Sequence, residues 1–185
     1  MELVALSDRQ LRALALSDPE LKRVFQGIYP SDRLPERPPK TTRGAYIVNT
    51  DPAGEPGQHW LGLWTDQGVC EVMDSYWLPL TVYHAPGLHE WIAKHWKYVV
   101  RTDRTLQAYD SRACGHYAFA YLQDRVRGRS LLDFVETTTI TCGTIIAWGN
   151  ASVLGLRPNW TTPPWTNPMD RIRNAVSLDV VYCLH

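Results

Sequence analysis

Four side chains suited to nucleophilic catalysis occur in the order histidine, aspartate, glutamine, cysteine: His59, Asp74, Gln107 and Cys114. Cys114 follows small and turn-forming residues at 111–113 and precedes an apolar helical pattern, so we expect it at the start of a helix. The unpaired amides and the dipole of a helix start stabilise negative charge and lower the pKa of a thiol. A neighbouring imidazolium would lower that pKa further, which gives a thiolate–imidazolium pair.

A predicted hairpin brings the histidine and the aspartate together. If Asp66 and Gln67 form a two-residue turn between two strands, the register places His59 opposite Asp74. Directly opposed residues have Cβ atoms about 5 Å apart, within reach of an imidazole and a carboxylate. A three-residue loop would put Ser75 opposite the histidine and leave Asp74 as the nearest acid. The pattern therefore predicts a base with an orienting acid.

Acyl transfer through a thiolate also needs donors for the oxyanion of the tetrahedral intermediate. The backbone amide of Cys114 is one candidate, and the side-chain amide of Gln107, seven residues upstream, is the second. Gly115 leaves the approach to the sulfur open. A single cysteine of this kind is more often a small buried hydrophobe, Asp74 alone could end a strand, and Gln107 alone could be a solvated loop residue. The four residues in this order favour a catalytic group.

The N-terminal region is predicted to hold two short helices. Each would begin at a Ser-x-x-Gln/Glu capping box, formed by Ser7 with Gln10 and by Ser17 with Glu20. The second helix would carry an apolar face over 21–25 and end at Gly27. Prolines then predict an irregular crossing loop over 28–43.

The remaining patterns predict an α+β fold with a central, mostly antiparallel sheet flanked by helices. Short apolar runs predict strands at 45–49, 59–64, 69–73 and 98–101. Helical spacing predicts helices over 88–96, over 114–127 with Gly128 as its end, and over 130–134 with Ser130 as its cap. The run 144–148 fits a helix or a strand, and prolines make 157–169 irregular.

Length and composition narrow the function classes. The 185 residues predict one domain over 1–185: N-terminal helices and loop at 1–43, a catalytic core at 44–128, and a helical and irregular segment at 129–185. Basic and acidic residues number 19 each, so a purely electrostatic function is excluded. The eight tryptophans and nine tyrosines predict an aromatic-lined cleft.

The sequence also bears on compartment and cofactors. No apolar run reaches the roughly 20 residues of a membrane helix, and the N-terminus lacks a basic start, so we expect a soluble protein that is not secreted. The four widely spaced cysteines do not form a disulfide framework, and free thiols are expected. No Cys-x-x-Cys pair occurs, and neither a metal nor a cofactor is predicted.

These features resemble the adenovirus protease (adenain) group of cysteine peptidases and its relatives in other large DNA viruses and virus-like transposons. The resemblance lies in His59-Trp60, Asp74, Gln107 and Ala113-Cys114-Gly115, and in the N-terminal pattern Phe25-x-Gly27-x-Tyr29, Asp32, Leu34-Pro35, Tyr46 to Thr50 and Gly57-Gln58. It covers residues 10–125 and weakens beyond Gly128. SUMO-specific proteases share the order and usually have aspartate at the acid position, where adenovirus enzymes have glutamate.

The resemblance implies an adenain-like fold with a permuted papain-like core. In it His59 would be the base, Asp74 its orienting acid, Cys114 the nucleophile and Gln107 an oxyanion donor. It further implies a thiol endopeptidase that cleaves after small, glycine-rich sequences, because a narrow groove flanked by Trp60 admits little beyond glycine. The substrates would be viral precursor proteins, and the enzyme would act in the virion and in the host cell nucleus or cytoplasm.

The resemblance also raises the question of activators. Adenovirus enzymes are stimulated by DNA and by a viral peptide disulfide-linked to a cysteine shortly before the glutamine. Trp96 stands at that position here, and no cysteine lies between Asp74 and Cys114, so this covalent activation is not expected. A DNA or peptide activator without the disulfide stays open, because the arginines at 125, 127 and 129 could form a phosphate-binding patch. We expect a monomer with no membrane partner.

Two rival functions stay open at this point. A related isopeptidase that removes ubiquitin or SUMO-type modifiers would cleave a modifier fusion faster than short glycine-containing peptides. A noncatalytic virion or adaptor protein would use the aromatic groove only to bind a partner chain. Selective alkylation of Cys114 separates both enzymes from the noncatalytic protein.

Overall fold

The computed structural model describes residues 4–39, 42–83, 85–140 and 181–183. One sheet holds its strands in chain order: β1 (Phe25–Pro30), β2 (Gly44–Asn49), β3 (Trp60–Asp66), β4 (Val69–Met73), β5 (Tyr98–Arg101) and β6 (Val181–Cys183). The α-helices of these residues are α1 (Asp8–Ser17), α2 (Pro86–His95), α3 (Cys114–Val126) and α4 (Leu131–Ile140). Neighbouring strands are antiparallel except β1 with β2 and β4 with β5. The predicted α+β class with a mostly antiparallel sheet is confirmed.

The sheet is covered on both faces. Leu61 and Leu63 of β3 pack in one core with residues of α2, whereas Trp64 packs in the other core with residues of α1, α3 and α4. Gly62 lies directly under α3, where an added Cβ would be 3.1 Å from the backbone oxygen of Ala118. Because β3 has no side chain at this point, α3 approaches the sheet closely, and its first residue is brought near the end of β3.

The hairpin between β3 and β4 turns one residue later than the sequence prediction. Asp66 and Val69 are its last paired residues, so the turn consists of Gln67 and Gly68. Both have positive φ, 46° and 83°, which is the requirement of a type I′ hairpin and favours glycine at the second position. The predicted turn at Asp66 and Gln67 would have left Gly68 in the strand, and that prediction is wrong.

The predicted direct pairing of His59 with Asp74 is wrong for the same reason, although the two residues do meet. The observed ladder, extended by one pair, places Leu61 opposite Asp74. Side chains alternate along a strand with a period of two, so an error of two residues leaves the histidine on the same face as the aspartate. The contact is a diagonal one across the end of the ladder.

The N-terminal region contains one helix fewer than predicted. The capping box of Ser7 with Gln10 starts α1, as expected. The helix predicted from Ser17 is wrong: a single 3₁₀ turn, Leu21–Arg23, is capped by the carboxylate of Asp18 and leads into β1. Parallel pairing with the buried strand β2 satisfies the backbone of this segment and outweighs its local helical spacing. The crossing loop therefore begins only after β1.

The other elements agree closely with their predictions. The strands β2, β4 and β5 and the helices α2 and α3 begin and end within two residues of the predicted positions. The hydroxyl of Ser130 caps α4 by accepting the amide of Asp133, but the helix continues to Ile140 instead of residue 134. The predictions for 144–148 and 157–169 lie outside the described residues. Within the described part of the chain, the helices are too short or too polar to span a bilayer.

A buried ion pair ties α3 to the sheet. Arg125 of α3 donates two hydrogen bonds of 2.8 Å to the carboxylate of Glu71 on β4, and Tyr121 donates one of 2.7 Å to the same group. The guanidinium also lies over the ring of Trp64, 5.1 Å from its centroid. Removing one partner of such a pair leaves the other charge buried without compensation.

Replacing Glu71 with glutamine is expected to lower the free energy of unfolding by about 3 kcal/mol, because Arg125 stays buried without its counter-charge. Urea denaturation measures this loss. The matched control is Glu90→Gln on the exposed face of α2, which should stay within about 0.5 kcal/mol of the wild type. A loss below about 1 kcal/mol for Glu71→Gln would show that the ion pair does not hold α3 on the sheet.

Candidate active site

His59 and Asp74 meet at one end of the sheet, just before β3 and just after β4. The Nε2 atom of His59 lies 2.9 Å from Oδ1 of Asp74, and both residues are buried. Nδ1 makes no hydrogen bond with the described residues, so it is the ring nitrogen left for the thiol of Cys114, whose proximity helps to raise the pKa of His59. The contact fixes which nitrogen faces the acid and which one faces the sulfur.

The carboxylate of Asp74 is held by the turn that follows it. Its Oδ1 accepts the amide of Tyr76 at 2.9 Å, and its Oδ2 accepts the amide of Leu78 at 3.1 Å and the hydroxyl of Tyr83 at 2.8 Å. Burial raises the pKa of Asp74, but the hydrogen bond and charge of His59, together with these donors, hold it below its usual value. Asp74 is therefore an ionised acceptor in a fixed position.

Two tyrosine rings pack against the imidazole of His59. The ring centroids of Tyr76 and Tyr83 lie 4.7 Å and 5.3 Å from that of the imidazole, with interplanar angles of 33° and 24°. Tyr83 also donates to Asp74, and Tyr76 donates its hydroxyl to the carbonyl of Ser111 at 3.0 Å. Aromatic faces attract a cation, so this packing both orients the ring and favours its protonated form.

Cys114 is the first residue of α3, as the sequence predicts, and it lies beside His59. Burial raises the pKa of its thiol, but the hydrogen bond and charge of His59, then the backbone amides of Trp60 and Gly115, bring it below its usual value. Burial lowers the pKa of His59, but its hydrogen bonds with Asp74 and Cys114 raise it to about 9. Both shifts favour the ion pair of a thiolate with an imidazolium.

Gln107 lies in the loop before α3 with its side-chain amide fixed. Ser75 donates its hydroxyl to Oε1 of Gln107 at 2.9 Å, and Nε2 donates to the carbonyl of Ser111 at 3.2 Å. Because Oε1 is occupied by Ser75, the nitrogen is directed toward the loop that leads to Cys114. One N–H of the amide is used by Ser111, which leaves the second N–H as the candidate oxyanion donor.

A cleft of about 830 Å³ opens beside Cys114. The N-terminal segment, residues 5–8, and loop 51–58 both line the cleft. Trp60, predicted to flank a substrate groove, lines this cleft together with Tyr76 and Cys114. An open cleft with a thiol in its lining accommodates an extended polypeptide.

The possible phosphate-binding patch of three arginines is not supported by the contacts of their side chains. Its three arginines are each paired within the chain: Arg125 with Glu71 at 2.8 Å, Arg127 with Asp18 at 2.7 Å and Arg129 with Asp124 at 2.8 Å. These contacts join α3 and the loop after it to the rest of the fold. Because their charges are neutralised locally, the three side chains do not form a free phosphate-binding surface.

Three residues of the site were not identified from the sequence. Ser75 and Tyr76 directly follow the acid. An orienting carboxylate needs hydrogen-bond donors of its own, and this need could have identified the residues that follow Asp74. Tyr83 ends a 3₁₀ turn nine residues after Asp74, and no local pattern predicts that its hydroxyl returns to the carboxylate.

The fold and the site define an α+β protein with a buried cysteine, histidine and aspartate beside an open cleft. No family model matches the chain, and no curated protein matches it. Among solved structures it is similar to the crystal structure of the ASFV pS273R protease, with a TM-score of 0.34 and 21% identity over 55% of this chain and 40% of that chain. The chain thus spans less than half the length of that protease.

Proposed function

We propose that this chain is a cysteine endopeptidase of the adenain-like fold. The observation that supports the proposal is the position of His59, which contacts Asp74 through Nε2 and lies close enough to Cys114 for each to shift the pKa of the other. A structural histidine has no need of a buried thiol on one side and an ionised carboxylate on the other. The whole chain is proposed as one catalytic domain.

The proposed mechanism follows from these positions. The thiolate of Cys114 attacks the scissile carbonyl carbon, and the resulting oxyanion accepts hydrogen bonds from the Cys114 amide and Nε2 of Gln107. His59 gives its Nδ1 proton to the leaving amine, the C–N bond breaks, and a thioester remains. His59 then takes a proton from water, whose oxygen attacks the thioester. Collapse of this second intermediate releases the carboxylic product and restores the thiolate, while Asp74 keeps the ring oriented.

We further propose substrates cleaved after small, glycine-rich sequences. Support comes from the crowding beside the sulfur: Trp60 approaches Gly115 so closely that a Cβ on the glycine would be 3.3 Å from the indole. The identification of the substrates as viral precursor proteins, and of the virion and host cell as the place of action, extends the proposal from the sequence resemblance.

Iodoacetamide tests the proposal without knowledge of the substrate. At neutral pH Cys114 should alkylate at least about tenfold faster than Cys70, because the pKa of the Cys114 thiol is lowered whereas burial raises the pKa of the Cys70 thiol. Digestion and mass spectrometry report the rate at each cysteine. In His59→Ala the Cys114 rate should fall toward that of an ordinary thiol. Equal rates at all cysteines of the wild type would favour the noncatalytic reading.

A peptide library then separates the two enzymatic readings. Wild-type protein should cleave glycine-containing peptides, and Gly-to-Val substitution before the scissile bond should reduce the rate. Faster cleavage of a ubiquitin or SUMO-type fusion than of any short peptide would instead assign an isopeptidase.

A further inference from the structure

We infer that the N-terminal segment, residues 5–8, is a built wall of the substrate cleft, held in place by the indole of Trp60, and that substrate binds between this segment and loop 51–58. The inference rests on the proposed function for one point only, the polypeptide nature of the ligand. It assigns a substrate-binding role to a part of the chain that lies outside the catalytic residues.

The first support is a hydrogen bond between the segment and the cleft. Nε1 of Trp60 donates to the carbonyl oxygen of Leu6 at 3.1 Å, across 54 positions of sequence. An indole has a single polar donor, so this bond fixes the rotation of the ring. The same ring lines the cleft with Leu6 and Cys114. The position of the segment therefore decides how the ring faces the substrate.

The second support is packing at the first turn of α3. A Cβ on Gly115 would lie 3.3 Å from Cβ of Leu6 and 3.3 Å from Cδ1 of Trp60. Leu6 and Trp60 are thus both in contact with the backbone of the residue after Cys114. The amides of Trp60 and Gly115 are also the ones that face the sulfur. The segment therefore rests on both residues that position these donors.

Both walls are anchored to the fold. On one side, α1 begins directly after Leu6 with its capping box, and Leu11 of this helix is fully buried in the core that includes α3. On the other side, the amide of Ala53 in loop 51–58 donates to the carboxylate of Asp32 at 2.8 Å. A groove whose two walls are fixed before binding loses little conformational entropy when a flexible chain enters it.

The test compares Trp60→Phe, which keeps an aromatic ring but removes the N–H donor, with deletion of residues 2–7, which leaves Met1 in the place of Ser7 and so removes the carbonyl acceptor at the Leu6 position. Each should raise KM for a glycine-containing peptide about threefold to tenfold with a smaller change in kcat, because binding and not the reacting groups is altered. In the deletion background Trp60→Phe should have no further effect, since both changes remove the same hydrogen bond.

The matched control is Trp96→Phe. Its indole is buried, and its N–H has no partner within the described residues, so the same change should leave KM at the wild-type value. Circular dichroism and thermal melts check that each variant folds. If the deletion variant does not fold, the comparison of Trp60→Phe with Trp96→Phe decides.

The failure of this inference is distinguishable from that of the proposed function. Unchanged KM in Trp60→Phe and in the deletion variant, with wild-type cleavage intact, would overturn the inference and leave the peptidase assignment standing. Fully additive effects of the two changes would also overturn it. A wild-type protein that cleaves no peptide and shows no selective alkylation of Cys114 would remove the proposed function and the inference together.

Discussion

Replacing Cys114 with alanine should abolish peptide cleavage, with kcat lowered by about 10⁴-fold to 10⁶-fold. Alanine has no group that attacks a carbonyl. Without the sulfur, His59 can activate only a water molecule, and the site is arranged for attack by the thiolate. Oxyanion donors and substrate binding stay in place, so a small residual rate above that of water is expected. Single-turnover and steady-state assays with the peptide chosen from the library measure the loss.

Cys70→Ala is the matched control for this variant. Cys70 is a fully buried cysteine on β4, in the core on the α2 side of the sheet, and makes no contact with the site. Its replacement should cost about 1 kcal/mol of stability and leave kcat within about twofold of the wild type. Cleavage at more than about a hundredth of the wild-type rate in Cys114→Ala would contradict the proposed nucleophile.

Replacing Asp74 with asparagine is expected to lower kcat/KM by about 10²-fold to 10⁴-fold. The carboxylate accepts four hydrogen bonds, from His59, Tyr76, Leu78 and Tyr83. The NH₂ group of an asparagine is a donor, so it would face some of these donors without accepting a hydrogen bond from them. The imidazole then loses both its orientation and the negative charge that favours its protonated form. Steady-state kinetics with the same peptide measure the effect.

The pH profile gives this variant a second readout. In the wild type the basic limb of kcat/KM should fall near pH 9, where His59 loses its proton, and the acid limb should lie below the usual thiol pKa. Because Asp74 raises the pKa of His59, the basic limb of Asp74→Asn should move to lower pH. Asp103→Asn, which removes a carboxylate paired with Arg104, should leave both limbs in place. An unmoved basic limb in Asp74→Asn would exclude the orienting role.

The same shift has a consequence for stability. The folded-state pKa of His59 is raised above that of the unfolded chain, so its contribution to stability is fully present below about pH 6.5. That contribution is lost as the pH rises through about 9. Asp74 has the opposite sign: its contribution is present above the unfolded pKa and is lost as the pH falls through the lowered folded value.

The parts of the site that follow from the sequence are those set by local rules. The start of α3 at Cys114 follows from small residues before an apolar helical pattern, and the face shared by His59 and Asp74 follows from strand alternation, which survived a register error. The register of the hairpin depends on which two residues of the turn have positive φ. These are Gln67 and Gly68, whereas the prediction takes Asp66 and Gln67.

The parts that do not follow from the sequence depend on distant contacts. Helical spacing ends at Phe25 and prolines predict a loop from residue 28, so only the pairing with β2 makes Phe25–Pro30 a strand. Two hydrogen bonds depend on how the loops cross at the end of the sheet. They are the bond from Tyr83 to Asp74 and the bond from Ser75 to Gln107, 32 positions later in the sequence. Local propensity carries no information about such meetings.

The absence of a side chain at Gly62 links the spacing between α3 and the sheet to the positions of the catalytic groups. The sulfur belongs to the helical layer, whereas the imidazole and the acid belong to the sheet, and at Gly62 the strand places no side chain of its own between the two layers. The gap between nucleophile and base is therefore a property of interlayer spacing, set several residues away from either group. A bulkier residue at position 62 would push α3 away from the sheet and separate the sulfur from the imidazole. The reaction would then be lost in a protein that still folds.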